Sequence, residues 1–115
     1  MSKGAVCIAV LLATAAPAGA RDKPPIAAIC TQKGGMTASG EAYSPDKLTA
    51  AHRTLPFGTM VRVTNMRNGR TVVVRINDRG PFNKSRDIDV TPAAAQQLRF
   101  SGLAPVALVV VEPQH

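Results

Sequence analysis

The sequence predicts a mainly β domain, a small closed barrel of six short strands with one short helix. Three observations carry that prediction. Short alternating or apolar stretches recur between clusters of Gly, Pro, Asn and Asp, the texture of strands joined by turns. Only "TPAAAQQLRF" (91–100) reads as helix. About 80 residues are organised, and closing so small a sheet on itself is the economical way to remove its edges.

The elements follow in chain order. Lys3, the apolar run from Ala5 to Ala16 and the A-x-A ending at Ala20 read as a secretory signal peptide over residues 1–20, cleaved after Ala20. The run is shorter than the ~20 apolar residues of a membrane-spanning helix, so no stable membrane insertion is expected. Residues 21–35 mix Pro, Gly and charge and read as an N-terminal tether, with a short strand at 26–31. The barrel domain is assigned to 36–112 and a tail to 113–115. Within it, "LTAAHRT" (48–54) is strand or turn. "MVRVTN" (60–65) alternates, with Val61 and Val63 on one face. Asn68-Gly69 is a strong hairpin signal, and "TVVVRIND" (71–78) is the returning strand. "RDIDV" (86–90) reads as a strand burying Ile88 and Val90. Thr91 is a candidate N-cap, Pro92 suits the first helical position, and Gly102 is positioned to end the helix. "APVALVVVE" (104–112), apolar on both faces, closes the barrel.

Composition narrows the partners. The chain carries +7, and loss of Lys3 with the leader leaves 13 basic against seven acidic residues, or +6. An exported basic protein suits an anionic partner such as a cell-wall polymer. With no Trp, one Tyr and three Phe, the sequence offers few surfaces for base stacking, and no nucleic-acid partner is expected. Cys30 is alone once Cys7 leaves, so no internal disulfide forms. Cys30 in "AAIC" is also a weak match to a lipid-attachment site. Neither His nor Cys occurs at metal-ligand spacing, so no metal or other cofactor is expected.

The acidic residues are few enough to weigh singly. Asp78 in "RINDRGPF" (75–82) ends a strand among Asn, Arg, Gly and Pro, and is either a turn residue or a carboxylate presented at a barrel rim. Glu41 follows the Ser39-Gly40 turn in "TASGEAY", where Tyr43 offers a face for sugar stacking. Asp87 and Asp89 alternate with core positions and read as solvated or structural. His52 in "TAAHRTLPFG" is a hydrogen-bonding residue or a catalyst. Two carboxylates and a histidine in turn-rich settings are what acid–base cleavage of a glycosidic bond needs.

The combination of "TASGE", "LTAAHRTLPFGT" and "INDRGPF", followed by "RDIDVTPAAAQQL", resembles the catalytic domain of the rare lipoprotein A family over residues 36–112. Those are septal-ring lytic transglycosylases built on a double-psi β-barrel, related in fold to expansins. The resemblance implies an endolytic peptidoglycan transglycosylase that leaves 1,6-anhydromuramic ends, with glycan strands as substrate and a monomer in the periplasm or cell envelope. It implies that Asp78, Glu41 and His52 line one groove. Asp78 would act as acid and then base, Glu41 would stabilise developing positive charge or share the proton, and His52 would orient a carboxylate. Arg53 and Arg79 could grip substrate carboxylates. The alternative is a non-catalytic, expansin-like module that binds or loosens the wall. Where family members carry an aromatic stretch ahead of "TASGE", this chain reads "AAICTQKGG".

Overall fold

A computed structural model describes residues 23–111. The signal peptide and the 113–115 tail therefore lie outside the described residues. The strands are β1 (Ile26–Ile29), β2 (Thr49–Ala51), β3 (Met60–Asn65), β4 (Thr71–Asp78), β5 (Ile88–Val90) and β6 (Leu103–Val111), with α1 (Pro92–Leu98) between the last two. They close into a barrel in the order β1-β5-β2-β4-β3-β6. β1–β5 and β2–β4 pair in parallel and the other neighbours run antiparallel. This is the double-psi β-barrel that the resemblance implies.

Alternation supplies the core. Val61, Val63, Val72, Val74, Ile76, Ile88 and Val90 are buried inside the barrel, with Ala94, Ala95 and Leu98 of α1 packed against them. β-branched residues favour this pleated, enclosed surface. At its far end β6 leaves Val109 and Val110 about half exposed, so that strand is not apolar-buried on both faces throughout.

Three boundaries differ from the sequence reading. The tether assigned to 21–35 is not all tether: Ile26–Ile29 pairs with both β5 and β6 and is a wall of the barrel. Its small residues Ala27 and Ala28 are fully buried, a fit to closed-barrel packing that apolar content alone does not signal. The β3–β4 connection is a longer loop over 66–70 rather than a two-residue turn, closed by the Asn65 N–H to the Arg70 carbonyl at 2.8 Å. Gly69 takes φ +78° within it. The helix is capped by Thr91 as read, its side chain accepting from the Ala94 N–H, with Pro92 in the first turn. It ends at Arg99 rather than at Gly102, because Arg99 adopts the left-handed conformation (φ 57°) and its N–H closes the last turn.

Candidate active site

The site is built where β4 ends, and an irregularity in that strand aims its last side chain. β2 pairs with β4 as Thr49↔Arg75 and Ala50↔Ile76, then as Ala51↔Asp78. One extra residue, Asn77, is thus inserted into β4. In an unbroken strand Asp78 would share the inward face of Ile76, two residues earlier. The bulge turns Asp78 to the outer face, alongside Ala51. Asn77 is itself buried in the fold of the bulge.

The "TASGE" segment is a tight loop docked against that strand end. Met36 bridges Ala42, the Thr37 N–H donates to the Glu41 carbonyl, and the Gly40 N–H donates to the Thr37 carbonyl. The Ser39 N–H reaches the Asn77 carbonyl at 3.2 Å. The Ala38 N–H reaches Asp78 Oδ1 at 2.9 Å, and the Arg79 N–H donates to the same oxygen at 2.8 Å. Two motifs 40 residues apart in the chain meet on one carboxylate.

Glu41 is held by Arg75, with guanidinium-to-carboxylate distances of 2.7 and 3.0 Å. This bidentate pair lowers the Glu41 pKa to about 2, outweighing a burial penalty, with Asn77 and Lys47 making smaller contributions in the same direction. Arg75 had no mark in the sequence beyond a polar position in an apolar strand, because its partner is 34 residues away.

His52 lies just beyond β2, and its N–H donates to the Asp78 carbonyl at 3.1 Å. Its side chain does not hydrogen-bond a carboxylate, as the orienting role would require. Nδ1 instead accepts from the N–H groups of Thr54 and Leu55, both at 3.2 Å, so a ring proton sits on Nε2. Burial, helped by the Arg53 and Arg79 charges, lowers the His52 pKa and keeps the ring neutral near pH 7.

The two arginines expected to grip substrate are engaged within the fold. Arg79 Nη1 donates to the carbonyls of His52 (3.1 Å) and Leu55 (2.8 Å), and its guanidinium stacks 4.1 Å from the Phe57 ring centroid. Arg53 Nη2 donates to the carbonyls of Asn83 and Arg86. Both tie loops around the site. Tyr43 is half-buried, its hydroxyl is enclosed, and burial beside Cys30 raises its pKa to about 12.

Beside Asp78 opens a small, shallow cleft, lined by Cys30, Tyr43, Ala51, Asn77, Asp78 and Asp89 among others. Glu41 and His52 are not among its lining residues. Asp89, read from alternation as solvated or structural, lines the cleft together with Asp78. Among the described residues no three His, Cys, Asp or Glu side chains cluster as metal ligands, and no helix is long and apolar enough to cross a membrane.

A family model described as lytic transglycolase matches residues 26–108. A Nostoc sp. protein named as a probable endolytic peptidoglycan transglycosylase RlpA is 60% identical over 80 residues, covering 68% of this chain and 22% of its own. Proteins named as endolytic peptidoglycan transglycosylase RlpA from Campylobacter jejuni and Escherichia coli K12 are 51% and 52% identical. Their alignments cover 68% and 64% of this chain. The chain thus spans 20 to 29% of the length of these three relatives. Among solved structures, the Streptomyces papain inhibitor superposes with a TM-score of 0.53 at 22% identity, over 73% of this chain and 92% of that one, a likeness of fold.

Proposed function

The chain belongs to the lytic transglycolase family, and on that premise we propose that it cleaves peptidoglycan glycan strands between N-acetylmuramic acid and N-acetylglucosamine, leaving 1,6-anhydromuramic ends. The observation that carries this reading is the treatment of Asp78. A bulge turns its side chain out of the core, two backbone N–H groups fix Oδ1, and the side chain borders a cleft. A turn residue needs no such aiming.

The reaction has two proton transfers. The bridging oxygen takes a proton as its bond to C1 breaks, and the muramyl C6 hydroxyl loses one as it closes onto C1. In the simplest scheme a single carboxyl, Asp78, performs both in turn. Glu41, kept ionised by Arg75, supplies a fixed negative charge for the oxocarbenium-like transition state. His52 acts at one remove, through the 52–55 loop whose backbone meets that of Asp78. The protein acts as an exported monomer, its leader cleaved after Ala20, in the periplasm or cell envelope; Edman or mass analysis of the secreted form should begin at Arg21.

Digestion of purified sacculi, read by muropeptide chromatography with mass detection, tests the activity. Anhydro products from the wild type, absent with Asp78→Asn, are expected. Reducing ends without the anhydro ring would indicate a hydrolase. Retained binding with no soluble product would indicate the expansin-like module.

A further inference from the structure

Asp89 lies one strand beyond Ala51 from Asp78. In β2, Ala51 is in register with Asp78 of β4 on one side and with Asp89 of β5 on the other. Residues in register across a sheet share a face, so the three side chains stand in one row. Two strand spacings separate the aspartates by about 10 Å at Cα, and only an alanine methyl lies between them. Two carboxyl groups on strands that flank one alanine are spaced to address one glycosidic linkage from its two ends.

The surroundings of Asp89 are unlike those of a solvated strand residue. Its Oδ1 is buried without a hydrogen-bond partner, and so is the Tyr43 hydroxyl of the same cleft. Buried polar atoms are ordinarily paired, so an unpaired carboxylate oxygen on a residue that lines the cleft is unusual for a merely structural aspartate. The charged and titratable neighbours are Arg53 and Arg86 on the loops, Asp87 on the approach to β5, Asp78 across Ala51, and Cys30 and Tyr43 beside β1. Arg86 and Arg53 favour the carboxylate, yet burial outweighs them and moves the Asp89 pKa upward. Arg53 is partly occupied by Asp87, at 3.9 Å, and by two backbone carbonyls.

We propose that Asp89 is a second catalytic carboxyl, the one that holds the proton delivered to the bridging oxygen. The inference rests on the reading of the cleft as a glycan-cleaving site, and it divides the two transfers of the single-carboxyl scheme. The Asp89 O–H bond breaks and its proton joins the bridging oxygen. The C1–O bond breaks, and its electron pair stays with the departing N-acetylglucosamine hydroxyl. The C6 oxygen bonds to C1, and its proton passes to the Asp78 carboxylate. The turnover ends with Asp89 ionised and Asp78 protonated, and exchange with solvent resets both.

The test compares wild type, Asp89→Asn and Asp89→Glu on purified sacculi from pH 4 to 8, with carboxyl-carbon NMR of Asp89 in the wild-type protein. Asp89→Asn should lower the rate of anhydromuropeptide release by roughly 10²–10⁴-fold, with sacculus binding and the unfolding temperature retained. Asp89→Glu should recover part of the rate. The wild-type rate should fall on the alkaline side at the NMR midpoint of Asp89, above the ordinary 3.8. Wild-type rate and pH profile in Asp89→Asn would overturn the proposal. So would an NMR midpoint at or below 3.8, which decides even if the variants fail to fold. Absence of anhydro product from the wild type would overturn the underlying reading and this inference with it.

Discussion

Arg75 grips Glu41 through both guanidinium ends, at 2.7 and 3.0 Å, across 34 residues of chain. The pair makes Glu41 a permanent anion rather than a proton carrier, since its pKa falls to about 2. Two carboxyl groups of the region are therefore driven apart, Glu41 downward and Asp89 upward.

Arg75→Gln should return the Glu41 titration toward the ordinary 4.5, measured by carboxyl-carbon NMR. A depressed folded-state pKa stabilises above the unfolded value and is lost as pH falls through the folded one. The wild type should thus lose stability between about pH 4.5 and 2 by an amount that Arg75→Gln lacks. Glu41→Gln should slow cleavage by roughly 10²–10³-fold, the scale for loss of one charge-stabilising group.

His52→Ala should lower stability by about 1 kcal/mol in urea unfolding, because two loop N–H groups lose their acceptor. His52→Asn, whose side-chain oxygen can accept in place of Nδ1, should recover much of it. The folded ring resists protonation, so wild-type stability should decline as pH falls below 6.5, and His52→Asn should decline less there.

Gly80→Ala should cost about 1–3 kcal/mol in thermal unfolding, since Gly80 sits at φ 122°, a region closed to other residues. Cleavage should fall with it, as the turn directly follows the Asp78–Arg79 pair.

Leu98→Ala should cost about 2–5 kcal/mol, because Leu98 is fully buried where α1 seals the barrel. The unfolding temperature of the wild type should be the same with chelator or reductant, given the free Cys30 and the absence of a metal-ligand cluster among the described residues.

Much of this was legible in the chain. Period-two alternation in "MVRVTN" and "TVVVRI" marks the buried faces correctly because burial inside a closed sheet is a local, repeating demand. Thr91-Pro92 announces the helix start because capping is settled within a few residues. Arg99 escaped notice as the helix end because an arginine in the left-handed conformation leaves no mark in composition.

The sequence by itself determined the barrel class, the core faces and the grouping of Glu41, His52 and Asp78 into motifs worth examining. Tertiary structure alone decided which way the functional side chains point and with whom they pair. Alternation carried past Ile76 would bury Asp78, and only the mismatch between β2 and β4 inserts Asn77 and turns the carboxylate outward. The same register sets Asp89 on the other side of Ala51, and the loop docking delivers Glu41 to Arg75. Such pairings depend on strand order and on contacts between distant segments, and a local pattern with a period of two residues carries no record of either.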